Sequence, residues 1–221
     1  MDLAAPGLFR LFRAHPWHGV DPGQDAAGCL NAYIELVPAD TIKYELDKET
    51  GLLRVDRPQK FSSLCPTPYG FVPRTWCGPR TGRLAAERSG RTIERGDGDP
   101  LDICVLTERR VPRGDLLLRA RPVGGLRMID HGEADDKIVA VLADDAVFGG
   151  YADLAEFPAA LVERLRHYFL TYKQPPGELP TGEIAGIYGR REAWQVIDAS
   201  RLDYDERFAE LAALWRGISG S

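Results

Sequence analysis

The chain has 221 residues, 44% of them hydrophobic and 28% charged, with a formal net charge of −5. That length supports one well-filled core with a small appendage. The acidic balance argues against general nucleic-acid binding, which needs a basic surface, but admits a small anionic substrate if metal ions stand between it and the acids.

Residues 1–30 read as an irregular arm. Its start, "MDLAAPGLFRLFRAHPWHG", has no apolar core of signal length and is interrupted at Pro6, while Arg10 and Arg13 make a weak organelle-targeting pattern. No run of 18 apolar residues occurs, so no membrane partner is expected. Cys29, Cys65, Cys77 and Cys104 form no C-x-x-C pair, which argues against a zinc ribbon and for a reduced, cytoplasmic setting. Residues 31–221 then read as a single domain. "YIELV" and "TIKYELD" alternate as strands, the second placing Lys43 and Glu45 on one face, and "KETGLLRVDR" turns as a hairpin at Gly51. "PQKFSSLCPTPYGFVP" reads as a loop crossing a sheet edge. Gly78–Gly96 holds four glycines, five arginines and few apolar residues, and is expected to be an exposed inserted loop. Strands resume at "LDICVLT", "LLLRARPVGGLRMID" (bent at Arg121-Pro122) and "DKIVAVLA". Helices come late. Leu161, Leu165, Tyr168, Phe169 and Tyr172 have helical spacing, with Asp153 as a cap and the regular helix starting near Pro158; two further helices are expected at 190–200 and 205–216. Five or more strands followed by helices predict an α+β chain with a closed or partly closed barrel.

The stretch "ERGDGDPLDICVL" places Asp97, Asp99 and Asp102 within six residues. Gly, Asp and Pro suit a turn, but Asp102 lies beyond it, inside an apolar strand, where an ionised carboxylate is costly unless paired or metal-bound. At a separation of about 4 Å and an effective dielectric of about 20, each like-charge pair costs roughly 4 kcal/mol, which cations remove. Oxygen ligands suit Mg²⁺, Mn²⁺ or Ca²⁺. An EF-hand fails, because Asp102 falls where that loop needs glycine. A second acidic group, Asp130, Glu133, Asp135 and Asp136 with Lys137, sits between two strands and can return to the same barrel end. With Lys43, Arg57, Tyr69, Tyr172 and Lys173, these are the parts of a metal–phosphate site. A nucleotide-sugar transferase using Asp97-Gly98-Asp99 and a non-enzymatic divalent-cation module are the alternatives; no Rossmann or P-loop glycine pattern supports the first, and a metal buffer needs no phosphate donors.

In the segments "IELVPADTIKYELDKETGLLRVDR", "CPTPYGF", "DGDPLDICVL", "RPVGGLRMIDHGEADDKIVAV" and "HYFLTYK", the chain resembles a family I soluble inorganic pyrophosphatase, over Ile34 to Lys173. The segment before the D-G-D-P-x-D motif and the long tail resemble a longer-chain bacterial subgroup. The resemblance implies an OB-like closed β-barrel with helices packed outside, and hydrolysis of pyrophosphate with several Mg²⁺ ions, for which Mn²⁺ can substitute. It implies metal binding by Asp97, Asp102, Asp130, Asp135 and Glu35, with Asp102 bridging two ions. Asp99 would accept the proton of the attacking water, with Tyr69 beside it in the catalytic group. Lys43, Arg57, Tyr172 and Lys173 would contact phosphate oxygens, Lys137 and Tyr69 would line the pocket, and Glu45 and Asp56 would support it. A homo-oligomer is implied, its size left open.

Overall fold

In the computed structural model, residues 13–26, 28–174, 177, 180–211 and 213 are described. Arg10 and most of the expected 205–216 helix beyond 211 lie outside that set.

Five strands close a ring. β1 (Leu30–Leu36) pairs antiparallel with β4 (Tyr69–Phe71), and β4 with β5 (Asp102–Leu106). β5 pairs in parallel with β8 (Lys137–Leu142), which pairs with the long β6 (Leu116–Asp130), and β6 returns to β1. The hairpin β2–β3 (Ile42–Leu46, Leu53–Pro58) forms a separate two-stranded sheet, and the two-residue β7 (Glu133–Ala134) extends β6. The expected OB-like barrel in an α+β chain is therefore observed.

β5 and β8 carry near-continuous apolar runs because both faces are buried, as parallel strands require. Ile103, Val105, Ile138 and Ala140 join one core cluster with Ala193, Val196 and Ile197. Cys104, Leu106, Val139 and Val141, one residue out of phase, join a second with Leu165, Tyr168, Phe169 and Tyr172. The first helical set belongs to the C-terminal helix and the second to the helix before it, so each core face has its own helix.

Three expectations need correction. The stretch 78–96, expected as an exposed loop, contains helix α1 (Pro79–Ser89), with Pro79 in its first turn and Gly90 closing it at φ 69°. Beside half-buried Leu84, its contact with the core is made by small residues: Ala85 is fully buried, and Thr81 and Gly82 are buried. Such residues do not register as a hydrophobic stripe. Asp153 does not cap α2 (Ala159–Thr171), which begins after Pro158. It caps the short 3₁₀ turn Leu154–Glu156 through Ala155 N–H (3.0 Å), and accepts Arg190 N–H (2.8 Å) at the start of the last helix. That helix, α3 (Arg190–Arg207), is continuous through the break expected near 200. The tail before it also contains an unexpected strand, β9 (Gly182–Gly189), paired along β6 from Gly124 to Asp130. "VGG" makes that pairing possible: a Cβ on Gly124 would lie 2.4 Å from the Tyr188 carbonyl, and one on Gly125 2.4 Å from the Tyr188 hydroxyl.

α1 is fastened to α3 by one carboxylate. Asp203, fully buried, accepts backbone N–H groups from Gly78 (3.1 Å), Arg80 (3.0 Å) and Thr81 (3.1 Å), together with the Arg80 guanidinium (3.3 Å). It satisfies the free N–H groups of the helix start and meets the positive end of the helix dipole. Asp203→Ala is expected to cost about 3 kcal/mol, because three backbone donors, two of them buried, lose their acceptor together. Urea unfolding monitored by circular dichroism reads this as a lower midpoint with an unchanged slope.

Candidate active site

One open end of the barrel carries a polar cleft of about 310 Å³. Of the fourteen residues expected at the site, thirteen line it: Glu35 from β1; Lys43, Glu45, Asp56 and Arg57 from the β2–β3 hairpin; Tyr69 from β4; Asp97, Asp99 and Asp102; Asp135 and Lys137; and Tyr172 and Lys173 just after α2. Asp130 does not line the cleft but stands behind Lys173, whose Nζ donates to its Oδ2 at 2.7 Å.

The "DGDP" segment is a pinned turn. Gly98 adopts φ +79°, a backbone conformation open to glycine without strain. Gly98 N–H donates to the Cys77 carbonyl (2.9 Å), the Trp76 indole N–H to the Gly98 carbonyl (2.8 Å), and Cys77 N–H to the Asp99 carbonyl (2.8 Å). Asp97 N–H reaches the Ala134 carbonyl at 3.1 Å, tying the turn to the second acidic segment. Leu101 N–H donates to Thr75 Oγ1 (2.9 Å), and β5 begins at Asp102. The turn presents the three carboxylates differently. Asp97 packs near Asp135 and Asp102, Asp99 is half-exposed at the cleft surface, and Asp102 accepts the Tyr69 hydroxyl at 2.5 Å.

Lys137, fully buried, lies between Asp102 and Asp135 and ion-pairs with both. Burial works against its ammonium, but those two carboxylates outweigh burial and raise its pKa well above the usual value. Asp97 and Asp135 are pushed up, first by burial and then, for Asp97, by Asp135 itself. On the opposite-charge side, Asp56 accepts from Lys43 Nζ (2.9 Å) and Arg57 Nη1 (2.5 Å), so one carboxylate orients both cations of the hairpin. Lys43 and Arg57 are direct cross-strand partners beside a bulge at Lys43/Tyr44.

The model for the inorganic pyrophosphatase family matches residues 32–205. An inorganic pyrophosphatase of Chlamydia caviae is 53% identical over 199 residues, spanning 88% of this chain and 92% of its own. The chain belongs to the inorganic pyrophosphatase family. Soluble inorganic pyrophosphatase 2 of Chlamydomonas reinhardtii is 36% identical over 91% of this chain and 94% of its own. The crystal structure of an inorganic pyrophosphatase from Neisseria gonorrhoeae superposes with a TM-score of 0.69 at 29% identity, over 84% of this chain and 96% of that one.

Within this pyrophosphatase fold, the remaining members of the second acidic segment face elsewhere. Glu133 pairs with Arg95 (2.7 Å), and buried Asp136 with buried Arg127 (3.4 Å), which also holds Glu192 (2.7 Å). The arginines of 78–96 that have carboxylate partners are likewise occupied away from the cleft: Arg80 pairs with Asp203 and Glu206, Arg88 with Glu192 (3.9 Å), Arg91 with Glu183 (3.0 Å) and Arg95 with Glu133. Lys48, not anticipated from the sequence, lines the cleft and pairs with Asp99. A lysine in a "DKETG" turn carries no signal of its own; only the fold brings it over the acidic turn.

The donor set fits divalent cations. It consists of carboxylate oxygens, the ligand class of hard ions. Asp97 and Asp135 are buried and crowded by like charge, and Asp130 Oδ1 is buried without a hydrogen-bond partner among the described residues, His131 Nε2 standing 3.8 Å away. In this conformation no three such groups among the described residues converge on one point, and the Lys137 ammonium holds the place between Asp102 and Asp135.

Glu35, 8% exposed, accepts Leu46 N–H at 2.6 Å, and burial raises its pKa from 4.5 to about 8. Below pH 4.5 it is protonated in both folded and unfolded chains, with no penalty. Between 4.5 and 8 the unfolded chain ionises while the folded one keeps its proton, so stability falls as pH rises. Glu35→Gln retains a carbonyl for Leu46 and removes this loss. In EDTA the variant is expected to exceed the parent by about 2–4 kcal/mol at pH 8, the gap closing toward pH 5, as read by urea titration at both pH values.

Proposed function

We infer that this chain hydrolyses inorganic pyrophosphate to two phosphates using Mg²⁺. The observation that carries the reading is the joining of two opposed sets in one cleft: carboxylates Asp97, Asp102 and Asp135 beside Glu35, and cations Lys43, Arg57 and Lys173. A pure cation buffer has no use for the second set, and a pure anion receptor none for the first. The named activity of relatives at 36–53% identity agrees with it.

Asp97, Asp102 and Asp135 would hold the divalent ions, with Asp102 shared, and Asp130 and Glu35 would serve ions arriving with substrate. Bound there, divalent cations lower the pKa of a bound water toward neutrality and screen the phosphate charge. The remaining roles fall to the protein. Asp99 is the acceptor for the water's proton, being the half-exposed carboxylate of the turn. Tyr69 and Lys137 fix the orientation of Asp102. Lys43, Arg57, Tyr172 and Lys173 grip phosphate oxygens, with Asp56 holding the first two in place and Asp130 the last. Glu45, paired in register with Arg54, lines the hairpin wall.

The discriminating experiment offers pyrophosphate and a UDP-sugar separately to the purified chain with Mg²⁺. Phosphate release from pyrophosphate alone is expected; cleavage of the UDP-sugar with pyrophosphate untouched would favour a transferase instead.

A further inference from the structure

The turn joining β2 to β3 is built like a bracket around Lys48. Asp47 Oδ1 accepts Thr50 N–H (2.9 Å) and the Thr50 hydroxyl (2.8 Å), and Gly51 N–H closes on the Asp47 carbonyl (2.8 Å). The N-terminal arm braces this turn from outside. His15 Nδ1 lies within hydrogen-bond reach of the backbone N–H groups of Trp17 (3.2 Å) and His18 (3.3 Å). Those two donors make Nδ1 the acceptor of the neutral ring, which leaves the proton on Nε2, and Nε2 lies 3.2 Å from the Lys48 carbonyl. The fit is close, for a Cβ on Gly51 would lie 2.8 Å from the His15 ring.

The arm is anchored to the stretch that also holds the acidic turn. The Trp17 indole N–H donates to the Thr75 carbonyl (2.8 Å), and Arg74 N–H to the Trp17 carbonyl (2.9 Å). Thr75 and Cys77 in turn bind Leu101 N–H and the Asp99 carbonyl. Lys48 and Asp99 are therefore presented to each other from one common support, and their side chains pair at the cleft surface.

We propose that Lys48 is a positioning residue for the hydrolytic step, holding the Asp99 carboxylate toward the cleft, and that His15 of the arm sets the place of Lys48. This rests on the reading of Asp99 as proton acceptor in a pyrophosphatase. An acceptor free to rotate spends less time aligned with the proton it must take, so the loss falls on turnover and not on binding. Because the pair is half-exposed, it contributes little to stability.

The test measures pyrophosphate hydrolysis at saturating Mg²⁺ for the parent, Lys48→Ala, Lys48→Arg, Asp99→Asn and the Lys48→Ala/Asp99→Asn double variant, with melting temperatures alongside. Lys48→Ala is expected to lower kcat about tenfold, with KM within about twofold and Tm unchanged, and Lys48→Arg to recover most of the loss. The double variant should be no slower than Asp99→Asn, since a positioning residue has nothing left to position. His15→Ala should lower kcat in the parent but not in the Lys48→Ala background. A raised KM at unchanged kcat, or losses that multiply in the double variant, would overturn the proposal, as would full activity of Lys48→Ala. Absence of hydrolysis by the parent enzyme would instead overturn the functional reading beneath it.

Discussion

Asp102→Asn is expected to reduce pyrophosphate turnover by at least about a thousandfold while leaving the circular dichroism spectrum unchanged. Asp102 is the point on which the site converges. It opens β5, is flanked by β4 and β8, accepts the Tyr69 hydroxyl at 2.5 Å and pairs with Lys137. The substitution preserves volume and one carbonyl oxygen. It removes the charge that the proposed sharing of Asp102 between metal ions would need, and it turns an acceptor-only group into one whose amide half repels the Lys137 ammonium. Losing a single electrostatic contact to the reacting centre costs about 10²–10³ in rate, and Asp102 serves more than one partner. Tyr69→Phe, which removes only the hydroxyl that orients this carboxylate, is expected to cost less. Steady-state kinetics on both variants check the ranking; equal losses would mean that the phenol matters as much as the carboxylate it orients, against the expected order.

The second large effect separates two aspartates that stand two residues apart. Asp99→Asn is expected to lower kcat by about 10²–10⁴ at saturating Mg²⁺ with little change in metal affinity, the range typical of a lost general base. Asp97→Asn should shift the Mg²⁺ dependence to higher concentration and recover much of its rate when metal is raised. The difference follows from placement: Asp97 packs among Asp135 and Asp102, and Asp99 faces the open cleft. Calorimetric Mg²⁺ titration beside kcat separates the two. If both variants weakened metal binding alike and kept full turnover at saturation, the division of roles would be wrong.

These carboxylates were legible in the sequence for a physical reason. Three acids within six residues, one of them inside an apolar strand, carry a repulsion that needs an explanation whatever the fold. The barrel was legible for a similar reason, since "ICVL" and "IVAVL" are the continuous apolar runs of strands buried on both faces. The failures share another cause. α1 buries Thr81, Gly82 and Ala85 with Leu84 as its one large apolar contact on the core, and in β9 ("GEIAGIYG") Ile184 and Tyr188 are spaced by small residues and paired to β6 through backbone; neither gives a strong hydrophobic period. Asp203 in α3 and Asp153 before α2 hold helix starts 123 and 37 residues away in sequence, pairings that only topology creates. Lys48 was invisible on the same grounds, since its value lies in the turn it faces.

The chain belongs to the pyrophosphatase family, and we propose that its acidic cleft activates water through divalent cations to cleave pyrophosphate. The most direct test of this proposal is phosphate release from pyrophosphate by the purified chain across a Mg²⁺ titration. The rate should rise with metal through more than one binding event and fall to background in EDTA. Undiminished turnover in EDTA, or no phosphate released by folded protein at any Mg²⁺ concentration, would contradict it.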